Sequence, residues 1–161
     1  KFLPVFWSPV HFPRQAGTMG LLCNTQHAAL RHFPTEMHSN WQWWSIVRHA
    51  RPFILNATRH EYKPLIQVVD NVERNHKLGL LFEFAVDNGK VLVCMSNLEA
   101  IRHTPEGGQL RNAILSYMKS AEFSPTETLT SQQLQHILTT EVRKQDIVGV
   151  KNQSDYDVQP E

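Results

Sequence analysis

Apolar and polar positions alternate most regularly between Leu78 and Met95, in "LGLLFEFAVDNGKVLVCM". Two apolar runs flank Asn88-Gly89, a dipeptide that favours the type I′ turn of a β-hairpin. Both turn residues are expected at positive φ. In the first run Leu80, Phe82, Phe84 and Val86 recur with period two, which predicts one shared face, with Glu83 on the other. The second run, Val91 to Met95, is apolar at every position. Such a strand is covered on both faces, and helices must do the covering.

A period near 3.6 follows. In "HTPEGGQLRNAILSYMKS", Leu110, Ala113, Ile114, Tyr117 and Met118 form one stripe. Thr104 is placed to cap this helix and Pro105 suits its first position. A second helix begins at Thr130, which with Gln133 has capping-box spacing. Leu129 and Leu134 are placed as its hydrophobic staple, and Leu134, Ile137 and Leu138 form its apolar side. Upstream, Thr18–Cys23 and Pro64–Asp70 read as short strands. A helical turn or two starts at Asn24 or Thr25 and ends before Pro34. "SNWQWWSIV" reads as helical from a cap at Ser39 or Asn40. Leu3–Trp7 reads as a short strand, because Pro4, Pro9 and Pro13 exclude a long central one.

These elements predict an α/β layered domain: a mixed sheet with a C-terminal β-hairpin, flanked by helices. Residues 1–144 form one domain, and residues 145–161 form a polar tail. A chain of 161 residues can bury a proper core. A formal net charge of +1 lacks the footprint of a nucleic-acid binder. No apolar run is long enough to cross a bilayer. Neither nucleic acid nor membrane is therefore an expected partner. The chain opens at Lys1, without an initiator Met or a signal peptide, and reads as a piece of a longer protein. Cys23 and Cys94 sit in apolar runs, which predicts buried free thiols and no disulfide framework.

Candidate chemistry is sparse. Glu83, the acid inside the best strand, is expected at a partly exposed or salt-bridged rim, and no second acid, Glu36 included, makes it a glycosidase pair. Cys23 with His103 and Glu106 has the residue types of an amidotransferase triad. Leu21 and Leu22, however, stand where a nucleophile elbow needs small residues. His27, His32 and His38 share no helical face, so no metal site is expected. Gly107-Gly108 lacks the Lys-Ser/Thr of a phosphate loop, and no cofactor is expected. What remains is the run Trp41, Trp43 and Trp44. With His38 and Asn40 it could stack and hydrogen-bond a sugar. The mainly structural alternative expects at least two of the three indoles to be buried.

Several long runs also resemble the C-terminal region of large family 2 glycoside hydrolases of Bacteroides-type bacteria, the β-galactosidase and β-glucuronidase relatives. They are Trp7–Pro9, Gly17–Gly20, His27–Leu30, Phe33–Thr35, Ser39–Trp44, "KLGLLFEFAVDNGKVLVC" and "QLRNAILSYMKSAEFSP", and they span Leu3 to Leu138. The catalytic barrel of such enzymes takes about 250 residues, so the resemblance implies an accessory domain without catalytic residues. It also implies other domains of a parent chain as partners and an extracytoplasmic setting. The hairpin and following helix are similar to the end of flavodoxin- and amidotransferase-like domains, which implies that the first strands of that fold are missing. The leading expectation is a non-catalytic accessory domain. The alternatives are a carbohydrate-binding module using Trp41, Trp43 and Trp44, and a residual hydrolase using Cys23.

Overall fold

The computed structural model describes residues 17–71 and 74–140. The expected strand at Leu3–Trp7 and the expected tail at 145–161 lie outside the described residues. Six strands form one sheet: β1 (Gly20–Cys23), β2 (Phe53–Ile54), β3 (Ile66–Val69), β4 (Lys77–Val86), β5 (Gly89–Cys94) and β6 (Thr128–Leu129). Three helices accompany them: α1 (Trp44–Arg48), α2 (Pro105–Met118) and α3 (Ser131–Thr139). The pairings are antiparallel except β4 with β6, which is parallel. The chain is therefore an α/β layered domain with a mixed sheet.

Strand β4 is the spine. Its first half pairs with β3 and β2, and its second half with β5 and β6. Between the halves the register against β3 jumps from Gly79 to Leu81 and leaves Leu80 as an extra residue. One inserted residue reverses the pleat. Leu78, Leu80 and Leu81 consequently share a core with Ile46 of α1 and Leu110, Ala113, Ile114 and Tyr117 of α2. Phe82 and Phe84 pack on the opposite side with Leu129 and Ile137 of the β6–α3 segment. The expected single face of Leu80, Phe82, Phe84 and Val86 is thus split at the bulge. The apolar β5 run does meet both layers: Leu92 and Cys94 face one core, Val91 and Val93 the other.

The helix starts follow the local chemistry of the chain. Thr104 Oγ1 accepts the Gly107 N–H at 3.1 Å, with Pro105 in the first turn of α2. Thr130 and Gln133 complete a reciprocal capping box on α3. Asn40, not Ser39, caps the turn that leads into α1. The segment after β1 forms a single 3-10 turn at Ala28–Leu30, capped by His27 and not by Asn24 or Thr25.

The hairpin turn sits one residue earlier than its Asn-Gly signal suggests. Val86 pairs with Gly89, so the two loop residues are Asp87 and Asn88. Asp87 takes the left-handed conformation, φ 49°, and Gly89 belongs to the strand. Tertiary contacts fix this register. The Asp87 N–H donates to the Leu129 carbonyl at 3.1 Å, and its carboxylate accepts from the Ser131 N–H at 3.3 Å, at the start of α3. Asp87→Ala should therefore lower stability by about 1–2 kcal/mol, a typical capping loss. A Cβ at Gly89 would meet the Val86 carbonyl at an ordinary 3.5 Å, so Gly89→Ala should change stability by no more than about 0.5 kcal/mol. Denaturant midpoints of the two variants check the placement, and the reverse ranking would refute it.

Candidate functional site

The tryptophan run does not fold as one unit. Trp43 is fully buried, while Trp41 is 85% and Trp44 41% exposed. This corrects the expectation that at least two indoles are buried. Consecutive residues of a tight turn point in different directions, and only one of the three can reach the core. Trp43 takes that place. Its Nε1–H donates to Thr35 Oγ1 at 2.8 Å, and its ring meets Phe33 edge-on at 5.2 Å. Trp41 and Trp44 lie 5.8 Å apart, tilted by 56°, with the Arg48 guanidinium 5.6 Å over Trp44.

These rings bound a cleft of about 430 Å³, whose remaining walls come from Thr18–Leu21, Ser39, Asn40 and Val47. Of the residues singled out from sequence, Trp41, Trp43, Trp44 and Asn40 line it. His38 does not; it bridges to Leu22 and stands 3.7 Å from Glu36. The Asn40 amide is committed locally, accepting the Gln42 N–H and donating to Glu36. Thr18–Leu21 were missed because β1 meets this turn only through tertiary structure, where Ser39 Oγ accepts the Leu21 N–H at 3.4 Å. At Gly20 (φ +148°) a Cβ would stand 3.3 Å from that hydroxyl oxygen. Glycine thus lets the strand approach the turn.

Glu83 is the second unusual group. It is 5% exposed, which corrects the rim expectation. The bulge aims it into the α2 layer, where Oε1 accepts the Tyr117 hydroxyl at 3.0 Å. His27 Nε2 lies 3.6 Å from the same oxygen. His27 Nδ1 accepts the Ala29 N–H, so in the neutral ring Nε2 carries the proton facing Glu83. Glu83 Oε2 is buried with no hydrogen-bond partner among the described residues. Burial, and then the bond to Glu83, raise the Tyr117 hydroxyl above its ordinary pKa. That hydroxyl therefore stays a donor.

The other candidates stay separate. Cys23 is buried, and desolvation pushes its thiol up to about 12, far from a thiolate nucleophile near neutrality. Cys94 is raised for the same reason. Glu106 binds Ser45, whose hydroxyl holds its carboxyl below the usual range, and His103 is exposed. No group of three His, Cys, Asp or Glu among the described residues could hold a metal ion.

Residues 1–139 match a family model described as "Domain of unknown function (DUF8487)". The chain belongs to the DUF8487 family. No curated protein matches it. The match covers both features of this DUF8487 member, the tryptophan cleft and the Glu83 cluster.

Two outcomes follow from the geometry. Trp43→Ala should cost about 3–5 kcal/mol, while Trp41→Ala should stay within about 0.5 kcal/mol; equal melting shifts would contradict the division of labour. Tyr117→Phe should cost about 1–3 kcal/mol, because it strips Glu83 of a donor inside the core. Adding Glu83→Leu to that variant should restore most of the loss, since it removes the buried carboxylate and His27, a quarter exposed, can still reach water. Additive losses in this double-mutant cycle would count against the coupling.

Proposed function

We propose that this chain is a non-catalytic C-terminal accessory domain of a family 2 glycoside hydrolase-like protein, and that the tryptophan cleft is its contact face. One observation carries the reading. Among the described residues, the lining of the cleft contains no side chain that titrates. A cleft with aromatic walls and no acid or base to activate its Ser39 and Thr18 hydroxyls can hold a partner but has no group to move its protons. The exposure pattern supports a contact role. Met19, Trp41 and Trp44 stand exposed around the cleft. Clustered apolar surface of this kind marks interaction sites. Four of the runs that resemble the glycoside hydrolase region reach the start of β1, the Trp41–Trp44 turn, the β4–β5 hairpin and α2, elements of this face and of the core behind it.

A second reading, carbohydrate binding, is favoured by Trp41 alone. A nearly free indole beside Ser39 and Thr18 offers a stacking face with hydroxyls at its edge. The test has two arms. Incubated with chromogenic galactosides, glucuronides and mannosides, the chain should give background rates only. Turnover that a single Glu→Gln substitution removes would overturn the non-catalytic reading. On a panel of plant and host glycans the parent chain should show no binding that Trp41→Ala abolishes. Such binding would put the carbohydrate reading in place of the domain-contact one.

A further inference from the structure

We propose that a second cleft, between the Ala57–Arg59 turn and α3, binds an uncharged polyhydroxylated ligand. The cleft holds about 530 Å³, within the range of small-molecule sites. It shares no lining residue with the tryptophan cleft. On one wall stands Arg59, on the other Gln132 and His136, and Glu127, Leu129 and Ile137 are among the residues between them.

The ion pair decides the class of ligand. Glu127 is 5% exposed, whereas the side chain of its partner Arg59 is 70% exposed. Arg59 donates to Glu127 through Nε at 2.9 Å and through Nη2. The turn that carries Arg59 is pinned from below, where Lys77 Nζ donates to the Arg59 carbonyl at 2.6 Å and to Thr58 Oγ1 at 3.3 Å. An anionic ligand finds no uncompensated positive charge at this pair, because Glu127 already neutralises Arg59, and it would place a second negative charge beside the buried carboxylate. A cationic ligand would have to displace a tethered guanidinium that makes two bonds. A neutral hydroxyl group does neither. It donates to a free lone pair of Glu127 and accepts from an Arg59 N–H that Glu127 does not use.

The opposite wall suits the same chemistry. Residues 132 and 136 are four apart on α3 and share a face. The Gln132 amide makes no hydrogen bond among the described residues and offers both a donor and an acceptor. His136 reaches Thr140 Oγ1 at 3.4 Å through Nε2, which leaves Nδ1 for a ligand. Leu129 and Ile137 supply an apolar floor for C–H groups. Alternating donors and acceptors over an apolar floor match a saccharide ring.

The test is titration of the labelled chain with lactose, maltose and xylobiose, followed through backbone amide shifts, beside glucuronate and glucosamine. At least one neutral disaccharide should shift the amides of Thr58, Arg59, Gln132 and His136. Gln132→Ala and His136→Ala, both at exposed positions, should fold normally and weaken that binding about three- to tenfold each. Trp41→Ala should leave it unchanged. The proposal is overturned if no neutral disaccharide shifts these amides, if glucuronate or glucosamine binds more tightly, or if the two variants bind like the parent. Shifts that vanish in Trp41→Ala would instead assign the saccharide to the other cleft.

Discussion

The extra residue at Leu80 of β4 is the constraint on which the rest of the fold depends. A regular ten-residue strand presents one set of alternate side chains to one layer. The bulge gives β4 two inner faces in succession, toward α1 and α2 first and toward α3 afterwards. Gly79, just before it, makes the change possible. A Cβ there would stand 2.6 Å from Leu55 Cδ1 and 2.7 Å from Phe82 Cδ1. Without that Cβ, Leu55 and Phe82 close over the strand and seal the second core at the point where the first ends.

The same pleat reversal drives Glu83 inward, and the molecule treats this carboxylate and the buried Asp70 differently. Asp70 is fully answered. Its oxygens accept from Arg74 Nε and Nη2 at 3.1 and 2.7 Å and from the N–H groups of Asn71 and His76. Arg74, equally buried, spends a further donor on the Gly17 carbonyl at 3.2 Å. A pair so satisfied holds the turn before β4 and fixes where that strand begins. Glu83 is only half answered, by Tyr117 with His27 beyond. Its other oxygen stands as the one buried side-chain polar atom with no partner among the described residues. One carboxylate anchors a register. The other carries a standing desolvation cost.

Local signals in the sequence were legible where local chemistry decides the structure. The β4–β5 hairpin, the Thr104–Pro105 start of α2 and the Thr130–Gln133 box of α3 depend on residues within a few positions of each other. Period two failed at Leu80, because a bulge answers to the pairing partner β3 and not to the residues of β4. The turn moved from Asn88-Gly89 to Asp87-Asn88, because Leu129 and Ser131, more than forty residues away, claim the Asp87 backbone and carboxylate. Strands β2 and β6 have two residues each, too few for any period to register. In the tryptophan cleft the turn was legible and the opposing strand was not. The run shows three indoles, Trp41, Trp43 and Trp44, but only the packed structure decides which of them the core takes.

What the acids do bears directly on chemistry. A catalytic carboxylate must be free to change its protonation beside a substrate, and among the described residues the acids other than Glu61 are held by structural partners. Glu127 faces Arg59, Glu122 faces Arg31 and Glu99 faces Arg102. Asp87 serves the first turn of α3, Glu106 binds Ser45 and Asp70 lies inside its ion pair. Glu83 is sealed under α2, and Glu36 takes the Asn40 amide that orients the tryptophan turn. Both clefts also offer uncharged groups, hydroxyls and amides such as those of Ser39 and Gln132. Such groups suit recognition, because they can bind and release a partner without exchanging a proton with it.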